Sequence, residues 1–562
     1  MYKIKISLRL LLGILLLIGF VTVVKAQEYW AKTYGLSSSE YSYVIQQTTD
    51  GGYIMTGPTT AHFGGYDFWV LKADAAGNVM WDKVFGGTLD DIPNALKQTT
   101  DGGYIIAGRT QSFSAGGFDY WVIKLDPAGN AVWQRNYGGT SDDLAYGIQQ
   151  TTDGGYIVAG TSLSYTAGGY DVWILKLDSA GGVTWQRRYG GNGTEWPYAI
   201  INTSDGGYAV AGYESSYSPG GNDIWVLKLT SDGSISWQRA YGGTSAELAL
   251  GINQTTDGGY IVAGRTESYG AGSVDFYVLR LDSLGNLVWN KALGGSSTDW
   301  AFSTVQTPDG GFVVVGRTDS FGAGNADYWV VKFDSAGAIK WQKTFGGTSL
   351  DYAYSVQMAN DGSILVGGVC GSFGVGGYDV LFLKLNPETG EVGNVCSMMS
   401  TTTVTPVTPS PNSQTTTSAN TTVNGASGIP QPSEQVTASS VMTYCYYSGG
   451  LPGEVLNNLL VSKVSGNPML SWLAPGGTCS VTAYGIYRGT LPISAYNHAS
   501  QSCSVTGLNY TDAGATSSYY YLVVPLTATA EGSYGTSYDG TTWTERPIGS
   551  SPCHTQDLTA CN

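Results

Sequence analysis

Thr152-Asp153-Gly154-Gly155-Tyr156-Ile157-Val158-Ala159-Gly160, followed by Asp171-Val172-Trp173-Ile174-Leu175-Lys176-Leu177 and then Val183-Thr184-Trp185-Gln186-Arg187-Arg188-Tyr189, is the stretch that decides the fold. The Asp-Gly-Gly step reads as a tight turn, because glycine reaches positive φ without a Cβ clash. The runs on either side are short and rich in β-branched and aromatic residues, as strands are. Asp143 to Thr151 reads as a first strand and Tyr156 to Ala159 as the returning one. A Ser/Gly-rich connection leads to the third at Asp171 to Leu177. A turn at Asp178 to Gly182 leads to the fourth at Val183 to Tyr189. Four antiparallel strands make one propeller blade.

Outward from this unit, the same pattern recurs seven times between about residues 28 and 390. Its tryptophans are Trp30, Trp81, Trp133, Trp185, Trp237, Trp289 and Trp341, spaced by 51 residues once and by 52 thereafter. The turn motif begins at Asp50, Asp101, Asp153, Asp205, Asp257 and Asp309, with Asp361-Gly-Ser-Ile as its last variant. A second aspartate recurs at Asp67, Asp119, Asp171, Asp223, Asp275, Asp327 and Asp379. A period near 50 with short strands points to propeller blades. The pattern starts with a lone fourth-type strand at Tyr29 to Tyr34, and its seventh copy lacks one. The opening strand is therefore expected to complete the last blade and leave no open edge.

Charge also repeats. Each unit opens with an acid (Glu40, Asp91, Asp143, Glu195, Glu247, Asp299, Asp351) and carries a base in its third strand, from Lys72 to Lys384. Both acid series are expected at one face of the ring. They could form an acidic face for Ca²⁺ or a cationic partner, or each could cap a turn or pair with a base. Duplication in all seven units favours the second reading, since a ligand site is usually built from what differs between blades. No specific motif supports Ca²⁺, and no cofactor is expected. The repeated tryptophans are read as packing between blades, and the recurring aspartates as structural.

The departures from the repeat are the candidate binding residues: His62, Phe113, Tyr165, Trp196, Tyr217, Tyr269, Trp300 and Phe321. Aromatic groups among Ser and Gly suit carbohydrate or protein contact. Of three histidines, His62 alone lies in the repeats, and no Gly-x-Ser-x-Gly elbow accompanies it. No catalytic residues are assigned, and an enzyme is not expected.

The remaining segments divide the chain. Residues 1–26 read as a signal peptide: Lys3, Lys5 and Arg9 precede an apolar run from Leu10 to Val24, and Ala26 offers a cleavage point. The run is short for a membrane span, and no later stretch is apolar enough to be one. Loss of the segment's four basic residues takes the formal charge from −16 to −20. Such acidity argues against nucleic acid as a partner. Residues 27–396 are the expected propeller. Residues 397–443, rich in Thr, Ser and Pro, read as an extended spacer. Residues 444–562 read as a β-sandwich with a cysteine-containing tail. All seven cysteines lie in the last 193 residues. Export makes disulfides reasonable, with Cys479–Cys503 and Cys553–Cys561 the preferred pairs and Cys370–Cys396 a clamp at the end of the repeats.

The repeated unit, Asp-Gly-Gly-Tyr-Ile-Val-Ala-Gly with Asp-x-Trp-Val-Leu-Lys-Leu-Asp and Trp-Gln-Arg-x-Tyr-Gly-Gly, resembles repeats of exported bacterial and archaeal β-propeller proteins of the SBBP and delta-60 kind. It is also distantly similar to the bulb-type lectin repeat. The stretch Gln150 to Val158 lacks that family's sugar-binding spacing and its asparagine, so no sugar contacts are carried over. Met469-Leu470-Ser471-Trp472, Ala483 to Gly489 and Tyr519 to Val524 resemble the B, C and F strands of a fibronectin type III module. These resemblances imply a secreted or cell-surface binding or adhesion protein, with an extracellular protein or glycan as partner. The alternatives are a lectin-like carbohydrate binder, an extracellular propeller enzyme (hydrolase or lyase) and a structural surface component.

Overall fold

Each sequence unit folds as one four-stranded antiparallel sheet, and the seven sheets close into a ring, a seven-bladed β-propeller with no helix among the described residues. The computed structural model describes residues 29–392 except 37, 63, 167, 218–220 and 375, together with backbone strands between residues 399 and 545. In the third blade the strands are Asp143–Gln150, Tyr156–Ser162, Asp171–Leu177 and Val183–Gly190, from the channel outward. The second runs three residues past the expected Ala159. Gly160, Thr161 and Ser162 continue the ladder opposite Trp173, Val172 and Asp171. Glycine is required there, since a Cβ at position 160 would lie 2.1 Å from the Leu144 carbonyl oxygen.

The ring closes as its strand count predicts. Trp30–Gly35 pairs antiparallel with Asp379–Leu385, with Trp30 opposite Lys384 and Tyr34 opposite Val380. The start of the chain thus supplies the outer strand of the seventh blade.

The Asp-Gly-Gly turn is held by its own aspartate. Asp153 Oδ1 accepts hydrogen bonds from Thr151 Oγ1 (2.5 Å) and the Gly155 N–H (3.0 Å), and Oδ2 lies 2.8 Å from Lys176 Nζ. Gly154 takes φ +81°. The same acid–base pair recurs in all seven blades, from Asp50–Lys72 to Asp361–Lys384. Partial burial opposes ionisation of Asp153, but the lysine, threonine and glycine donors prevail and hold its carboxyl at about 2.

Third-strand aromatics fill the space between adjacent blades: Trp69, Trp121, Trp173, Trp225 and Trp329 are at most 2% exposed, as is Tyr277 at the same station. The outer-strand tryptophans pack between blades at the rim, where most are half-buried. Trp133 donates from Nε1 to the Ser179 carbonyl of the next blade (3.1 Å), and its ring lies 5.9 Å from Tyr156. Gly181 in that turn has no room for a side chain beside Trp133 and Arg135.

Short backbone strands between Met399 and Tyr446 pair antiparallel with the outer strands of six blades, ending with Ser440–Tyr446 against Trp30–Gly35. An outer blade edge offers a free row of N–H and C=O groups for such pairing. Further on, Leu459–Val464, Asn467–Trp472 and Asn509–Thr511 form one three-stranded sheet. Ala499–Val505, Ala483–Thr490 and Tyr519–Leu526 form another. The side chains of this region, with Cys396, Cys479, Cys503, Cys553 and Cys561 and their expected bridges, lie outside the described residues, as does the expected signal segment. Cys370 is a free, buried thiol whose Sγ accepts the Phe373 N–H at 3.3 Å. Opposite Asp351 it occupies the station held by Thr110 opposite Asp91.

Candidate functional site

The two acid series meet at the same blade ends, as expected, but inside the protein. All fourteen carboxyl groups are at most 6% exposed, so they do not form the acidic face weighed as one of the two sequence readings. The first series caps turns: Asp143 Oδ2 accepts the Gly139 N–H (2.8 Å) and Ser164 Oγ (2.7 Å). The second series approaches the first across each blade junction. A Cβ on Gly138 would lie 2.0 Å from Asp119 Oδ1 and 2.9 Å from Asp143 Oδ2. Burial, with the neighbouring carboxylate adding to it, pushes Asp67 up to about 8 and Asp119, Asp275 and Asp327 up to about 6. Among the described residues no group of three or more His, Cys, Asp or Glu is gathered as metal ligands would be.

The loop aromatics singled out by sequence close the ends of the blades. Phe113 packs on Trp121 (5.3 Å), Tyr165 on Trp173 (5.2 Å), Tyr269 on Tyr277 (5.6 Å) and Phe321 on Trp329 (5.5 Å). Tyr165 and Tyr269 also donate their hydroxyls to the Gly138 and Gly242 carbonyls. The Tyr217 backbone N–H donates to the Glu214 carboxylate (2.7 Å). His62 is half-buried in the first blade's connection, where desolvation lowers its pKa.

Trp196 and Trp300 have a different setting. The innermost strands leave a central channel with a cavity volume of about 480 Å³. The fourth residue of each inner-strand unit lines it, and at five of seven stations that residue is aromatic: Tyr43, Tyr146, Tyr198, Phe302 and Tyr354. Their rings touch around the channel, Tyr43 to Tyr354 at 5.0 Å, Phe302 to Tyr354 at 4.7 Å and Tyr146 to Tyr198 at 5.4 Å. Trp196 lies 5.7 Å from Tyr146 and stacks on Tyr213 with a 6° interplanar angle. Trp300 lies 6.0 Å from Phe302.

Three arginines back this collar. Arg265 sits 4.3 Å from the Trp300 ring, and Arg317 lies 5.1 Å from it and 4.8 Å from Tyr352. Arg109 donates from Nη1 to the Tyr146 hydroxyl (3.4 Å). Their Nε atoms are buried without a hydrogen-bond partner among the described residues. Deeper in the channel the corresponding residues are Gln46, Lys97, Gln149, Ile201, Asn253, Val305 and Gln357, so Lys97 brings the lining's single charge. Desolvation lowers its pKa.

Sequence reasoning found Trp196 and Trp300 but missed Arg109, Arg265, Arg317 and Lys97. The signal was present. Arg109, Arg265 and Arg317 stand where other blades carry Pro58, Thr161, Tyr213 and Val369. Only the cross-strand register, Trp300 opposite Arg317, shows that the second-strand departures adjoin those of the first strand.

No family model matches the chain and no curated protein matches it. The likeness to exported propeller repeats and fibronectin type III modules therefore rests on the residues quoted for it. Among solved structures, Sqt1 from Chaetomium thermophilum is similar at 13% identity, with a TM-score of 0.35, over 60% of this chain and 82% of that one. A structure described as the eukaryotic initiation factor is similar at 9% identity, with a TM-score of 0.29, over 61% of this chain and 90% of that one.

Proposed function

We propose that this chain is a non-catalytic binding protein exported from the cytoplasm, and that it engages an extracellular protein or glycan through the collar around the channel. One observation carries the reading. Every blade repeats the same turn, the same ion pair and the same buried acids, whereas the collar gathers stations at which the blades differ. Identical stations serve the fold; differing stations on one surface are what recognition requires. Rings that present flat apolar faces beside hydroxyls and guanidinium groups suit sugar or protein contact.

The test is a double variant, Trp196→Ala with Trp300→Ala, compared by glycan array and calorimetry with Thr49→Glu, an exposed change at an Asp-Gly-Gly turn. Binding should weaken at least tenfold in the double variant and stay unchanged in Thr49→Glu. The opposite pattern would move recognition to the turn side of the ring. Export is tested separately: N-terminal sequencing of secreted protein should begin after Ala26.

A further inference from the structure

We infer that the central channel takes a carboxylate-bearing sugar, its carboxylate held by Lys97 and its ring faces lying along Tyr146 and Tyr198. The inference rests on the binding-protein reading and names the ligand class of the same site.

The charge distribution points to an anion. The chain is acidic, with a formal charge of −16, yet no Asp or Glu lines the channel. Its single charged lining residue is a cation, and no hydrogen bond or ion pair reaches Lys97 Nζ among the described residues. Neutral residues fill the station in every other blade, so the fold does not need a base there. A cation held in a desolvated wall without a counter-ion is stabilised by an anion brought by a ligand. Lys97 meets that condition, since burial lowers its pKa.

The remaining lining selects what carries the carboxylate. A cavity volume of about 480 Å³ is that of a small-ligand site. Five aromatic stations supply stacking faces, and Gln149 and Asn253, whose amide N–H groups donate to the Ile200 and Thr304 carbonyls, leave their amide oxygens for hydroxyl groups. A sugar offers apolar C–H faces and many hydroxyls together, which a simple aliphatic acid does not.

Calorimetry on the full chain tests this with two matched pairs of probes: trigalacturonate against its methyl ester, and sialyllactose against lactose. In at least one pair the acid should bind tenfold or more tightly than its neutral partner, with the margin shrinking in high salt. Lys97→Gln should reduce that margin below threefold; glutamine already fills the station in three blades, so the fold is kept. Equal affinity within both pairs, no binding of either acid at millimolar concentration, or an unchanged margin in Lys97→Gln overturns the inference. Equal affinities that still fall with Trp300→Ala reject the ligand class and leave the collar as the binding surface. Trp300→Ala binding every probe as the parent does rejects the collar itself.

Discussion

Trp173 and Trp185 belong to one blade and stand on neighbouring strands, yet their environments differ. Trp173 is 1% exposed, with Tyr120 and Tyr165 rings at 4.9 and 5.2 Å. Trp185 is half-buried at the rim, 6.5 Å from Tyr208 of the next blade. Trp173→Ala should therefore cost about 3–5 kcal/mol, and Trp185→Ala only about 1–2 kcal/mol, in urea denaturation. Equal losses would contradict the placement. Sequence spacing drew attention to the Trp185 column because it is unbroken in all seven units. The Trp173 column is interrupted at Tyr277 and Leu381, although the third strand, buried on both faces, is where a large ring gains most. Periodicity reports which residues repeat; burial depends on how many neighbours a strand has.

Among the elements, the closing strand was legible because strands could be counted. Four per unit, with one too many at the start and one too few at the end, leaves a single solution. Without Trp30–Gly35, the strand Asp379–Leu385 would present an open edge carrying Val380, Leu381, Phe382 and Leu383, all buried in the intact ring. Deletion of residues 29–35 is expected to yield oligomers or aggregates by size-exclusion chromatography. A monodisperse product with unchanged melting temperature would show that the ring does not depend on this join. The pairings made by Met399–Tyr446 had no comparable signal. They are made by backbone groups, and a Thr/Ser-rich segment shows no alternation from which an edge contact could be read.

For the whole molecule, the acid pairs at the blade junctions set a pH response. Asp119, Asp275 and Asp327 are raised to about 6 and Asp67 to about 8, so the folded state holds more protons than the unfolded chain between the ordinary carboxyl value near 4 and those values. Their stabilisation is complete below that window and is lost as pH rises through it. The turn aspartates act oppositely: Asp101 and Asp153, held at about 2, lose their contribution as pH falls from near 4 toward 2. Thermal stability should therefore peak at mildly acidic pH and decline toward pH 8. Asp119→Asn should remove about 1–3 kcal/mol of that decline. A profile rising from pH 5 to 8 would show that the pairs are ionised in the fold. Sequence located both acid series at one end of the blades and favoured a capping or pairing role, but nothing in a linear repeat shows Asp119 meeting Asp143 across a junction. The collar was half legible for a related reason. A departure is visible in each unit alone, whereas a site exists only once the departures of several blades share one opening.

The join that completes the seventh blade also governs how the disc responds to tension. Trp30, where the opening strand enters, lies opposite Lys384, next to Leu385, where the last strand leaves. Force applied directly at Trp30 and Leu385 thus acts at the same end of an antiparallel ladder and breaks its rungs in turn instead of loading them together. A ring protected against heat by seven interlocked blades would still unzip under a modest pull at this one seam.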